Sequence, residues 1–322
     1  MSQHQVTVTR RLPAPIEAQL AERYQAHLNT GDGPFSPAGL RAALSGSDAV
    51  VVTVTDRVDA NMLQDCRARI IANYGVGVDH IDVGAAAEAG IVVTNTPGAL
   101  TDATAELAFT LMLMAARRAG EGERLIRSGK WTGWAPTQLV GRSLSGATLG
   151  IVGMGRIGRA MAARAARGCG MHIVYWSRSE VAASHMGDVA VERVESLDEL
   201  LGRADVISLH TPATRETHHL VDARRLALLQ PHAILINTAR GTVVDEAALA
   251  EALAHGRLMA AGLDVYEREP TVHPGLLQLE QVVLLPHLGS ATEAARIAMG
   301  NSVLVNLEAF FAGQAPPDRV TS

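Results

Sequence analysis

Three side chains in the second half of the chain suit one piece of chemistry, the addition of a hydride to a carbonyl carbon. Arg240 stands in Asn237-Thr238-Ala239-Arg240-Gly241. Glu269 stands in Asp264-Val265-Tyr266-Glu267-Arg268-Glu269-Pro270, and His287 in Pro286-His287-Leu288-Gly289-Ser290. A hydride on carbon leaves an oxyanion that must be protonated, and imidazole is the side chain that titrates near neutrality. A carboxylate beside it favours the charged ring and fixes its tautomer, a role for Glu269. Arg240 stays charged and can clamp a carboxylate or polarise the carbonyl. Each segment follows an apolar run of strand length, and ligands of doubly wound sheets collect at the carboxyl ends of strands. Spacing alone leaves a second reading open: a structural histidine, a surface arginine and a turn glutamate.

Gly153-Met154-Gly155-Arg156-Ile157-Gly158 is a GxGxxG turn. It follows the strand run Thr148-Leu149-Gly150-Ile151-Val152 and opens a helix over 159–167, the context that dinucleotide binding requires. The first glycine permits the turn, the second lets backbone approach a pyrophosphate, and the third lets helix and strand pack. The helix N-terminus adds free amides and a positive dipole end. About 20 residues on, an acidic residue usually holds the ribose 2′-OH. Here the strand Ile173-Val174-Tyr175-Trp176 ends in Ser177-Arg178-Ser179 instead. Arg178 can pair with a 2′-phosphate, helped by both serine hydroxyls, which favours NADP(H) and leaves NAD(H) open. His210-Thr211-Pro212 ends another strand and is expected to line the cofactor crevice.

The elements that must position these groups alternate. The first segment reads as a strand at 6–8, a helix over 16–27, and strands at 49–55, 69–72 and 91–93. Thr94-Asn95-Thr96-Pro97-Gly98 breaks the pattern as a linker. A long helix follows, capped at Thr101 or Asp102 and ending near Gly129. Residues 131–145 look irregular. Strand runs then recur at 148–152, 172–176, 205–209, 233–238, 260–265 and 282–285. Ser196-Leu197-Asp198-Glu199 reads as a capping box, and a last helix covers 292–311. The fold class is α/β, with two doubly wound parallel-sheet, Rossmann-like domains.

The glycine turn, the Arg240 segment, Gly262-Leu263-Asp264-Val265-Tyr266-Glu267 and the His287 segment together resemble the D-isomer-specific 2-hydroxyacid dehydrogenases over nearly the whole chain. The resemblance implies Arg240 as substrate anchor, Glu269 as the partner of His287, and His287 as acid/base. On the cofactor side it implies Thr104, Thr238, Ala239, Asp264, His287 and Gly289. Tyr74-Gly75-Val76-Gly77-Val78-Asp79-His80 is similar to the family's substrate loop, where amides near Val76 and Gly77 receive the substrate carboxylate; successive amides make an anion nest. Trp131-Thr132-Gly133-Trp134-Ala135-Pro136 resembles the glyoxylate/hydroxypyruvate reductase branch. That likeness implies Trp134 reaching a homodimer partner's active site and Ser290 on the substrate side. Two tryptophans in an irregular segment of an aromatic-poor chain also suit an interface anchor, or a hydrophobic plug under a loop.

The expected organisation is a substrate-binding domain of 1–98 plus 289–322, split by a dinucleotide-binding domain of 99–288, with the active site in the crevice between them. The expected reaction is reduction of glyoxylate or hydroxypyruvate to glycolate or D-glycerate. Two alternatives stand: a related dehydrogenase for D-lactate or phosphoglycerate, and a non-enzymatic NAD(H)-sensing scaffold. The 322 residues suit two domains. Hydrophobic residues make up 48% and charged ones 19%, as in an ordinary globular protein. Aromatics at 3% and a net charge of −5 argue against a nucleic-acid surface. The longest apolar run, 107–116, is too short to span a bilayer. Met1-Ser2-Gln3-His4 starts polar, and two distant cysteines, Cys66 and Cys169, suit a reducing cytoplasm. His218-His219 has no carboxylate or cysteine at ligand spacing and reads as a turn or a helix start, Asp79-His80-Ile81-Asp82 as a helix start, so no metal is expected.

Overall fold

β-branched and leucine-rich runs buried on both faces are the mark of parallel strands covered by helices. Ala49–Val52, Ile70–Asn73, Val206–Leu209, Ile234–Asn237 and Ala260–Leu263 are each buried throughout. A computed structural model describes residues 4–321. The chain divides into two units: one takes the residues up to Leu100 and from Ser290 onward, the other Thr101–Gly289.

The first unit holds five strands, β1 (Gln5–Val8), β2 (Gln25–His27), β3 (Ala49–Val52), β4 (Ile70–Asn73) and β5 (Val92–Thr94). They form a parallel sheet in the order β2-β1-β3-β4-β5. Its helices α1 (Ala14–Arg23), α2 (Pro37–Gly46) and α3 (Val83–Glu88) lie between strands. One apolar cluster joins Ile16, Leu20 and Val51 to Met299, Val303 and Leu307 near the chain's end, and a second joins Leu40, Leu44, Val50 and Ile71.

The second unit opens with α4 (Thr101–Ala116) and α5 (Ala119–Arg127). Then come β6 (Thr148–Val152), α6 (Arg156–Cys169), β7 (His172–Trp176), β8 (Val191–Arg193), α7 (Leu197–Arg203), β9 (Val206–Leu209) and α8 (Ala223–Leu226). It closes with β10 (Ile234–Asn237), α9 (Glu246–Ala254), β11 (Ala260–Leu263), α10 (Pro274–Leu277) and β12 (Val282–Leu284). Its seven parallel strands run β12-β11-β10-β9-β6-β7-β8. The order reverses at β6, the topological switch point where such sheets bind ligands. The last helix, α11 (Glu293–Phe311), belongs to the first unit.

Four local expectations change. The helix expected over 16–27 stops at Arg23. Tyr24 turns extended, and Gln25–His27 pairs with β1 as an edge strand. The long helix from Thr101 is two helices, because Arg118 adopts φ 53° and breaks the backbone before α5. The strand β8 was not expected; it is short and mostly exposed, with no apolar run to mark it. At Ser196 the hydroxyl accepts from Glu199 N at 3.1 Å, as a capping box requires. The return bond, however, runs from Glu195 N to the Glu199 carboxylate rather than from Ser196 N.

Between β10 and β11 the chain is packed backbone to backbone. A Cβ on Gly241 would fall 1.8 Å from the Tyr266 carbonyl carbon, although the Gly241 φ is one alanine can adopt. Neither backbone can yield without moving the loops that carry Arg240 and Glu269. Gly241→Ala is therefore expected to lower stability by about 1–3 kcal/mol or more. Urea unfolding of the variant checks this; an unchanged midpoint would contradict the close approach.

Candidate active site

The glycine turn forms as the strand-to-helix geometry demands. Gly153 sits at φ 95°, and a Cβ there would meet the His210 carbonyl oxygen at 2.6 Å. A Cβ on Gly158 would lie 2.2 Å from the Gly153 carbonyl oxygen, so helix and turn touch at backbone distance. Gly155 is the N-cap of α6, and a Cβ there would meet no atom within 4 Å. The turn is thus crowded on its protein side and open at the helix N-terminus, where amides and dipole favour an anion. Met154 is buried beneath it, while Arg156 and Ile157 begin the helix.

Around the turn stand further polar groups. The hydroxyls of Thr211 and Thr238 are buried and make no hydrogen bond among the described residues. A buried hydroxyl without a partner is costly unless something else satisfies it. His210 follows β9, its Nε2 2.8 Å from Ser208 Oγ. Enclosure by protein pushes its imidazole down to about 4, so it stays neutral near pH 7. Open helix amides, the switch point and the two hydroxyls together fit a dinucleotide.

Three loops at strand ends carry the reactive set. After β10, the Asn237 side chain bridges its own turn, donating to Arg240 O at 2.9 Å and accepting from Ala239 N at 3.0 Å. That bridge fixes the peptide on which Arg240 stands. After β11, Asp264 is buried and its carbonyl accepts from His287 N at 2.9 Å. Its carboxylate accepts from Leu288 N at 2.7 Å and Gly289 N at 2.8 Å. After β12, His287 adopts φ 54°, a left-handed conformation that costs a non-glycine residue energy. The Asp264 bonds on both sides of it hold it there.

So held, the His287 ring meets Glu269. Its Nδ1 lies 2.8 Å from Glu269 Oε2. The other carboxylate oxygen accepts from Tyr266 N at 3.1 Å. Burial alone would raise the Glu269 carboxyl. The His287 hydrogen bond and charge, the Tyr266 amide and the Arg240 charge outweigh it and hold the group below its ordinary 4.5. Asp264 goes the other way: burial pushes it up to about 6, against the pull of the Leu288 amide, His287 and the Gly289 amide. A second pair of carboxylates braces the loop. Glu246, buried at the start of α9, accepts from Glu267 N and, at 3.2 Å, from His273 N, while Glu267 accepts from Glu246 N at 2.9 Å.

Comparisons with known proteins identify the family. The family model described as "D-isomer specific 2-hydroxyacid dehydrogenase, NAD binding domain" matches residues 109–289, more than half of the chain. The chain belongs to the D-isomer-specific 2-hydroxyacid dehydrogenase family. It is 46% identical over 321 residues to a glyoxylate reductase of Thermococcus litoralis, covering 98% of this chain and 96% of that one. A glyoxylate reductase of Korarchaeum cryptofilum is 44% identical, at 98% and 95% coverage. Among solved structures, an NADPH-dependent glyoxylate/hydroxypyruvate reductase from Sinorhizobium meliloti, in complex with NADP and malonate, superposes with a TM-score of 0.87. It is 33% identical and covers 99% of this chain and 97% of its own. The family's cofactor is a nicotinamide dinucleotide, and the second unit carries the matched domain.

The remaining family positions fall as follows. Thr104 is buried on α4, its hydroxyl donating to Gly289 O at 3.0 Å. Ala239 is partly buried beside Thr238. Ser177 is partly open after β7, Arg178 and Ser179 are exposed, and Pro212 is exposed after Thr211. In the first unit, Val76 and Gly77 lie in the loop after β4, and Ser290 precedes α11. Trp134 is 82% exposed. Asp82 caps α3, and among the described residues no group of His, Cys, Asp and Glu could hold a metal. Asn237, Glu246 and Glu267 were missed by sequence reasoning; they act through backbone, and only the Asp245-Glu246 helix start gave a local signal.

Glu269 and Asp264 predict opposite pH effects. Glu269, lowered in the fold, contributes stability that is present above its ordinary 4.5 and lost as pH falls through the lower folded value. Asp264, raised, contributes stability below its ordinary 3.8 that is lost as pH rises through about 6. Comparing wild type with Glu269→Gln isolates the first. The stability gap between them is expected to shrink as pH falls below about 4.5, read by chemical denaturation. A gap that holds its size or widens from there downward would contradict the assignment.

Proposed function

We propose that the protein reduces glyoxylate, and also hydroxypyruvate, to glycolate and D-glycerate with NADPH as the preferred cofactor. The reading is carried by the full-length likeness to glyoxylate reductases, 46% identical to that of T. litoralis. The His287–Glu269 pair gives that likeness its chemistry.

The bound dihydronicotinamide would supply the hydride to C2. The α6 N-terminus, with Gly153, Gly155 and Gly158 and the Thr211 and Thr238 hydroxyls, would hold the dinucleotide. Arg178, with Ser177 and Ser179, would pair with its 2′-phosphate. The S. meliloti relative is described as NADPH-dependent, which favours this choice. The amides of Val76 and Gly77 in the first unit would receive the oxoacid carboxylate. Arg240 would polarise the C2 carbonyl and stabilise the developing oxyanion. Because His287 Nδ1 is engaged by Glu269 at 2.8 Å, Nε2 is the nitrogen left to deliver the proton to the C2 oxygen. Glu269 stabilises the charged ring and fixes its orientation.

Assembly and location belong to the same proposal. Trp134, Trp131, Ile126 and Val140 are exposed large apolar residues within one segment of the second unit. They suit a homodimer interface with Trp134 as its anchor. Two free cysteines favour a cytoplasmic site, and among the described residues no helix is long and apolar enough to cross a membrane.

NADPH oxidation with a panel of 2-oxoacids tests the reading. Glyoxylate and hydroxypyruvate are expected to be turned over best; preference for pyruvate would favour a lactate-type enzyme, and no turnover at all a cofactor-sensing role. His287→Ala is expected to lower kcat by roughly 10²–10⁴; a near-wild-type rate would remove the acid from His287. Arg178→Ala should weaken NADPH far more than NADH, and equal effects would remove the 2′-phosphate contact.

A further inference from the structure

The loop after β4 is held in an uncommon way. Asn73, the last residue of the strand, is fully buried. Its side-chain nitrogen donates to two loop carbonyls, Gly75 O at 3.0 Å and Gly77 O at 2.9 Å. Asn95, just past β5, donates to the carbonyl between them, Val76 O at 2.8 Å. Ala72 and Thr94 are register partners, so the two asparagines are the next residues along neighbouring strands. Three successive carbonyls are thereby held by two side-chain amides.

Within a planar trans peptide the carbonyl and the following N–H point in opposite directions. Holding the carbonyls of Gly75, Val76 and Gly77 therefore turns the amides of Val76, Gly77 and Val78 away from the asparagines. Among the described residues no carbonyl or side chain accepts from these three amides. The arrangement also has a cost. The Asn73 side-chain oxygen is buried and makes no hydrogen bond among the described residues. A buried amide that leaves its own acceptor unsatisfied while both loop carbonyls take its nitrogen is one whose donors matter.

We propose that Asn73 and Asn95 are positioning residues that preorganise the Val76 and Gly77 amides for the carboxylate of the oxoacid. The inference rests on the reading that these amides receive that carboxylate. Neither asparagine touches substrate; each acts by fixing the peptide planes that do. Ordering the loop before binding removes a cost that substrate would otherwise meet on arrival. Loss of the amide donors leaves the fold of the second unit, and so the cofactor, untouched.

The test compares wild type with Asn73→Leu, which keeps the side chain's size without donors, and Asn95→Ala. Steady-state kinetics with glyoxylate, inhibition by oxalate and NADPH binding by fluorescence are measured for each. Both variants are expected to raise the glyoxylate KM and the oxalate inhibition constant by about tenfold. They should lower kcat less than they raise KM, and leave the NADPH Kd unchanged. A KM that stays at the wild-type value in a folded variant overturns the proposal, as does an equal loss of NADPH affinity, which a general loss of structure would produce. If Asn73→Leu fails to fold, Asn95→Ala decides, since Asn95 is only partly buried. Wild type that does not turn over glyoxylate, or does so regardless of Arg240→Ala, removes the reading of the site and this inference with it. Turnover that needs Arg240, with an intact KM in both asparagine variants, removes the inference alone.

Discussion

The His287 backbone sits in the left-handed region, at φ 54°, a conformation that costs a non-glycine residue energy. What keeps it there is Asp264, whose carbonyl takes the His287 amide and whose carboxylate takes the next two amides. Asp264 is buried to 1% exposure, and its neighbours β10 and β12 fix β11 in the sheet. The constraint therefore runs from strand pairing, through one carboxylate, to the direction of an imidazole. The hydrogen bond to Glu269 then orients the ring. Every role assigned to His287 depends on that chain of contacts.

Two carboxylates near one imidazole are driven apart by their surroundings. Glu269 meets His287 and the Arg240 charge and is held below its ordinary value. Asp264, deeper, is pushed up to about 6 by burial. Environments that separate neighbouring titratable groups are a common sign of acid/base machinery. Here the member held lower is the one that hydrogen-bonds the ring, an arrangement that suits proton delivery from Nε2. The Glu246–Glu267 exchange and the Asn237 bridge brace the same loops from behind. A site of this kind relies on loops made stiff by buried polar contacts.

The sequence made the larger features legible because each has a local mark. The run at 49–52 is apolar throughout, those at 206–209 and 234–237 are apolar but for Ser208 and Asn237, and GxGxxG between a strand and a helix is a specific pattern. The three segments bearing Arg240, Glu269 and His287 were recognisable as motifs. Their meeting at one site was an expectation from their shared place at strand ends, while the contact distances depend on loop geometry that no local pattern records. Short edge strands such as Gln25–His27 and Val191–Arg193 carry no apolar run and were hidden for that reason. The break at Arg118 carries no glycine or proline at the residue itself, although Gly120 and Gly122 follow it; Ala116 O, which a continuing helix would give to the amide of Gly120, accepts instead from Arg142 N at 2.8 Å, a contact made by a distant segment. Residues that hold backbone, such as Asn73, Asn237 and Glu246, look ordinary until the groups they bind are in view.

The central claim is that a hydride is delivered to C2 of a 2-oxoacid while the chain's histidine protonates the oxygen. The most direct measurement uses NADPH deuterated at C4, separately on each face, with glyoxylate as acceptor. Mass spectrometry of the glycolate is expected to find one deuterium on carbon from one face of the cofactor and none from the other. Glycolate formed without label from either cofactor, or NADPH consumed with no glycolate, would contradict the account.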